Sequence, residues 1–164
     1  MDKNLNRIKE RVYDKCALKI SNFRLEVESK EYDACQFQLN GHQVICRNAK
    51  ITPKKVGQFV TFWKRNGDGP IAPFEETDEI DFFVINVRTE NDFGQFVFPK
   101  SVLIKNGILS TAKKEGKRAF RVYPSWDVAK NKQAERTQKW QLNYFYEIGQ
   151  HVDLKRVNEL YTNK

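Results

Sequence analysis

Six short segments of strand-forming residues, separated by glycine- or proline-bearing turns, set the framework of this sequence. CQFQLN and QVICRNAKI enclose Asn40-Gly41, a pair that accepts the positive φ angles of a tight hairpin turn and so reads as two joined strands. GQFVTFWKR (57–65), IDFFVINVRT (80–89) and GQFVFP (94–99) follow, rich in phenylalanine and valine with partial alternation. AFRVYP (119–124) is a sixth strand, stopped by Pro124. The eight glycines all fall at element edges in this segmentation, which supports it.

Helices are expected before, between and after these strands. Leu5, Ile8, Val12, Cys16 and Ile20 recur every three or four residues, the pattern of an amphipathic helix over 4–20. KSVLIKN after Pro99 reads as a short helix ended by Gly107. Asp127 is placed to cap a long helix, VAKNKQAERTQKWQLNYFYEI. The class is therefore α+β: a mainly antiparallel central sheet flanked by an N-terminal helix and a long C-terminal helix, in a single domain over 1–164.

Several function classes drop out. No run approaches the ~18 apolar residues of a membrane span, and the charged N-terminus has no apolar export segment, so no membrane insertion and a cytoplasmic location are expected. Three scattered cysteines suit reduced thiols, and two distant histidines are too few for a zinc finger or an HNH nuclease. No phosphate-binding glycine loop, dinucleotide fingerprint, zinc-protease helix or nucleophile elbow is present. Ser110-Thr111-Ala112-Lys113 fits S-x-x-K without its companion motifs and is a chance match.

Charge carries more information. The formal net charge is +8, but it is distributed in blocks. Residues 1–65 carry 14 basic and 7 acidic side chains, 66–98 carry Arg88 against eight acids, and 99–140 carry 11 basic and 3 acidic. A fold that joins the two basic blocks presents one positive face to polyanions. Alternatively the blocks are solvated surface, or pair with the acidic block.

The segments LNGHQVICRNAKITPKKVGQFVTFWKR, GPIAPF, IDFFVINV, GQFVFPKSVLIKNGILS, EGKRAFRVYPSWD and QAERTQKWQLNYF together resemble the MepB family, in the family's order and over roughly residues 31–146. Lys54 and Cys46 depart from that pattern, standing where a threonine and an aromatic are expected. The resemblance implies a small cytoplasmic bacterial protein, in some genomes encoded beside a multidrug efflux pump and its regulator. It supplies no reaction, and transport is not to be read into a chain without a membrane span.

Three sets of candidate nucleic-acid contacts emerge. Lys50, Lys54, Lys55, Lys64 and Arg65 are interleaved with Gln58 and Trp63; cations meet phosphates and flat rings meet bases, while Trp63 itself reads as core. Lys100, Lys105, Lys113, Lys114, Lys117, Arg118 and Arg121 form the second set, with Arg121 facing away from Phe120 and Val122 on its strand. Lys132, Arg136 and Lys139 make a basic helical stripe. The competing reading for each set is ordinary solvated charge. A nuclease of the restriction-enzyme type needs paired acids and a lysine around Mg²⁺. Asp81 with Glu31 and Lys100 offers weak catalytic candidates, but Gln95-Phe96-Val97 stands where Glu-x-Lys is wanted, and the acids around Asp81 read better as a solvated loop.

The leading reading is a nucleic-acid-binding protein, with DNA the favoured partner, held mainly by phosphate contacts from a basic surface and needing no cofactor; binding is favoured over catalysis. A Mg²⁺-dependent nuclease, or an efflux-associated interaction or ligand-binding protein without nucleic acid, are the alternatives.

Overall fold

The computed structural model describes residues 1–162. Helix α1 (Lys3–Ile8) starts where Asp2 Oδ2 accepts the amides of Asn4 and Leu5 at 3.1 and 3.3 Å. It continues as a wider π turn (Lys9–Tyr13) and a 3₁₀ turn (Asp14–Cys16), and Ala17, at φ 55°, ends it. The helix expected over 4–20 is thus cut short, and Ile20 opens a strand instead. Its chain-order successors are β1 (Ile20–Leu25), β2 (Cys35–Leu39), β3 (His42–Asn48), β4 (Lys50–Ile51), β5 (Gln58–Thr61), β6 (Trp63–Arg65) and β7 (Ile71–Pro73). They are followed by β8 (Phe82–Arg88), β9 (Phe93–Pro99), α2 (Lys100–Lys105), β10 (Ala119–Val122), α3 (Lys132–Gln141), β11 (Phe145–Glu147) and α4 (Leu154–Thr162).

The main sheet has the order β1-β2-β3-β8-β9-β11, antiparallel except for the β3–β8 pair. Phe82 to Val87 of β8 and every residue of β9 are buried. Phe82, Val84 and Val97 face one cluster, closed by α1 and α4 through Leu5, Ile8, Val12, Val157 and Tyr161. Phe83, Ile85, Val87, Phe96 and Phe98 face a second, closed by Val60, Phe62, Leu103, Val122 and Phe145. The cover on that second side includes a small sheet of order β10-β5-β4. The class is α+β, as the segmentation anticipates. No helix among the described residues is long and apolar enough to cross a membrane.

Two further expectations are corrected. The segment 57–65 is two strands in different sheets: Phe62, fully buried, gives its amide to the Arg118 carbonyl at 2.8 Å between them. The long helix is only ten residues, capped by Asn131 Oδ1 on the Ala134 amide rather than by Asp127. Its apolar tail becomes β11, because Phe145 and Tyr146 pair with Phe96 and Gln95 of β9. Sheet pairing overrides helical periodicity there.

The first cluster contains a buried polar centre. Gln95 Oε1 accepts the Tyr146 and Tyr161 hydroxyls at 2.6 and 2.7 Å, and its Nε2 donates to Asn86 Oδ1 at 2.8 Å. Tyr13 and Tyr161 share a hydroxyl contact of 2.7 Å. Burial pushes all three phenols above the ordinary 10.0. The free Cys46 thiol rises above 9.0 through its hydrogen bond with the Cys35 thiol and through burial. A raised folded pKa stabilises the neutral protein below the unfolded value, and that contribution is lost as the unfolded phenols ionise. Unfolding free energy, measured by urea titration, is expected to be flat up to about pH 8 and then to fall, first as the unfolded thiol and then as the unfolded phenols ionise, by up to about 1.4 kcal/mol per pH unit for each group. Tyr161→Phe should flatten that fall, whereas wild-type stability unchanged to about pH 11 contradicts the assignment.

Candidate nucleic-acid interface

Helix α3 lies against the free edge of β10, and one side chain makes the joint. Gln141, fully buried, accepts the Tyr123 amide at 2.8 Å through Oε1 and donates Nε2 to the Arg121 carbonyl at 2.9 Å. Its amide thereby takes the place of a neighbouring strand for the two main-chain groups of an exposed edge. On the other flank, Arg121 ties β10 to the loop before β5. Its guanidinium donates to Thr52 Oγ1 at 2.5 Å and, more loosely, to the Val56 and Gly57 carbonyls at 3.5 and 3.4 Å. The loop comes this close because Gly57, at φ +84°, has no side chain; a Cβ there lies 2.7 Å from the Tyr123 ring and 2.9 Å from the Val122 carbonyl.

Between these anchors run two adjoining hollows of about 400 and 350 Å³, which share Arg121, Tyr123, Asn131 and Ala134. Five cations line them: Lys117 in the first, Lys54, Lys55 and Lys130 in the second, and Arg121 in both. None of the five forms an ion pair among the described residues. No carboxylate lines either hollow. Half-buried Phe120, Tyr123 and Trp140 supply ring surface, and Asn106, Asn131 and Gln133 supply amides. The N-terminus of α3 adds its dipole to the same sign of potential.

The fold sorts the sequence candidates. Lys54, Lys55, Lys117 and Arg121, distant in sequence, meet at this groove. Arg121 stands across β5 from Lys50, since both pair with Phe59, and its guanidinium lies 5.7 Å from the Phe59 ring. Lys50 rests over Tyr32 at 5.1 Å, so it borders the groove without lining it. Lys64 bonds Glu75 and Asp78 at 2.9 and 3.0 Å, Arg65 bonds Glu28 at 2.7 Å, and Arg118 bonds Glu115 at 2.8 Å. Those three cations are neutralised within the fold and lie outside the groove lining. The acidic block supplies the partners of Lys64, and it also holds Lys100, whose Nζ donates to the Asp78 carbonyl at 2.6 Å. Trp63 is half-buried under Arg65, with 5.7 Å from guanidinium to ring. Lys132, Arg136 and Lys139 are exposed on the face of α3 opposite Ala134, Thr137 and Gln141, so the basic stripe points away from the groove. Lys130 was not singled out by sequence reasoning; it falls just before the observed helix start, a boundary the longer expected helix concealed.

The weak catalytic set is not assembled. Lys100 donates its amide to the Asp81 carbonyl at 3.0 Å, so these two are neighbours. The Asp81 carboxylate accepts the Gln43 amide at 2.8 Å at the start of β3. Glu31 is near the other end of that strand, two residues before Asp33, whose carboxylate bonds Asn48 at 2.8 Å. Where facing carboxylates are wanted on β8 and β9, the paired residues are the neutral amides Asn86 and Gln95.

One solved structure shares the architecture, and a second matches it weakly. The crystal structure of MepB matches with a TM-score of 0.79 and 34% identity over 92% of this chain and 100% of that one. A bacterial homing endonuclease, I-Ssp6803I, matches at a TM-score of 0.45 and 16% identity over 85% of this chain and 86% of that one, a likeness too low to carry functional information. No curated protein matches the chain. The MepB-like family model covers residues 26–147, from the end of β1 through β11 and thus the whole of the groove; the chain belongs to the MepB-like family.

Proposed function

We propose that this chain is a cytoplasmic nucleic-acid-binding protein that holds DNA mainly through its phosphates, in the groove between β10, α3 and the Thr52–Gly57 loop. The observation that carries the reading is the convergence of five unpaired cations on hollows that no carboxylate lines. Exposed lysine heads at Lys54, Lys55, Lys117 and Lys130 are free to contact successive phosphates. Arg121, already fixed by Thr52, presents the rest of its donor fork without further ordering. Rings at Phe120, Tyr123 and Trp140 offer stacking surface, and the amides of Asn131 and Gln133 offer hydrogen bonds to sugars or base edges. The reading assigns binding and no reaction.

Fluorescence anisotropy with a labelled DNA duplex across a salt series tests it. Log K should fall against log salt with a slope of about −3 to −5, the signature of roughly four to six neutralised phosphates. The double variant K54A/K130A should weaken binding about tenfold or more and reduce the slope by about 2. Lys64→Ala should leave affinity within about twofold, because that cation is already paired with Glu75 and Asp78. Binding indifferent to salt, or equal losses in the two variants, contradicts the assignment.

A further inference from the structure

A second group of cations lies where the groove leads. Lys3, Arg7 and Arg11 follow one another at four-residue spacing along α1 and its π continuation, on the side away from Leu5, Ile8 and Val12. Together with Arg88, at the end of β8, they line a hollow of about 610 Å³ in which Glu10 is the one acid among the lining residues. Like charges spaced by four on a helix repel one another and cost stability. Glu10 lies in the same hollow, but no carboxylate comes within ion-pair distance: neither the lysine nor any of the three guanidiniums is ion-paired among the described residues. Arg11 donates to the Gly149 carbonyl and Arg88 to Asn4 Oδ1 at 3.2 Å, bonds to neutral acceptors that position the groups and leave their charge in place.

This cluster is continuous with the groove. Arg7, Arg11 and Arg88 also line the next hollow, which includes Thr89. Thr89 in turn lines a saddle with Lys55, Lys130, Ile51 and Val128, and Lys55 and Lys130 belong to the groove itself. Ile51 and Val128 are 62% and 70% exposed, apolar surface suited to the faces of sugars and bases between two cationic stations. Acids are present along the way: Asp127 at the saddle, and Glu90 and Asp92 beside Thr89. Asp92 is engaged by the Thr89 hydroxyl at 3.2 Å.

We propose that the polynucleotide continues from the groove across the Ile51–Val128 saddle to a second phosphate anchor formed by Arg7, Arg11 and Arg88, so that full affinity requires a strand long enough to reach both. The inference rests on the groove binding nucleic acid and adds a length requirement to it.

Single-stranded oligodeoxynucleotides of about 6 and about 20 nucleotides separate the two claims. The triple variant R7A/R11A/R88A should bind the short strand as the wild type does, while losing roughly tenfold for the long strand and about 2 from its salt slope, at ~0.7 per phosphate. R7K/R11K/R88K should restore the long-strand slope, because lysine keeps the charge. Arg7→Glu alone, at an exposed side chain, should show the same length-selective loss if the triple variant unfolds in a thermal melt. Equal losses on short and long strands, or no loss on either, overturn the second anchor while leaving the groove intact; an acidic protein surface then becomes the better partner for these arginines. Wild-type protein that binds neither strand overturns the continuation past the saddle, and overturns the groove itself if the duplex also fails to bind.

Discussion

The β8–β9 pair is buried on both of its faces, mostly through apolar side chains, and this constrains everything else. A strand pair carrying Phe82, Val84 and Val97 on one side and Phe83, Ile85, Phe96 and Phe98 on the other has to be covered twice. Burying one phenylalanine side chain is worth about 2–3 kcal/mol, more than any surface ion pair in the molecule contributes. One cover is the α1 and α4 layer. The other is the small β10-β5-β4 sheet together with the α2 and α3 region, which cannot close as one continuous surface because β10 ends in a free edge. Gln141 closes that edge by hydrogen bonding, and the seam it leaves becomes the groove.

The same packing decides which charges remain available to a partner. Lys64 and Lys100 are drawn into the acidic segment that leads into β8, and Arg47, fully buried, is paired with Glu26. These contacts remove cations from the exterior field whatever their contribution to stability. Lys54, Lys55, Lys117, Lys130 and Arg121 escape because the loops that carry them meet across a seam lined by amides and rings. Their mutual repulsion is tolerable in water and, on the proposed reading, is relieved by a bound polyanion.

Much of this was legible in the sequence. The Asn40-Gly41 turn, the strands around residues 82–88 and 93–99, and the outward face of Arg121 follow from turn chemistry, phenylalanine- and valine-rich composition and strand geometry, which act locally. The errors lie where distant partners decide. The helical spacing of Leu5 to Ile20 runs into β1 because Ile20 pairs with Leu39, and the run through Tyr144 and Phe145 leaves its helix to pair with β9. For the site, sequence spacing identified Lys54, Lys55, Lys117 and Arg121 as candidates. It had no way to show that Lys64 and Arg65 meet carboxylates, since Glu28 lies thirty-seven positions from Arg65, whereas Glu115, the partner of Arg118, is only three positions away. The α3 stripe of Lys132, Arg136 and Lys139 is a real feature of the helix surface, but the opposite face is the one turned to the groove.

On the proposed reading, polyanions are held where unpaired cations converge, and not wherever lysine is abundant. The most direct measurement is a titration of isotopically labelled protein with a short oligodeoxynucleotide, followed amide by amide in NMR spectra. Shifts should concentrate at 52–57, 119–123 and 130–134, with 63–65, Arg136 and Lys139 little changed. Shifts spread evenly over all the lysine-rich segments, or centred on 63–65 and 75–81 while the groove stays silent, would contradict it.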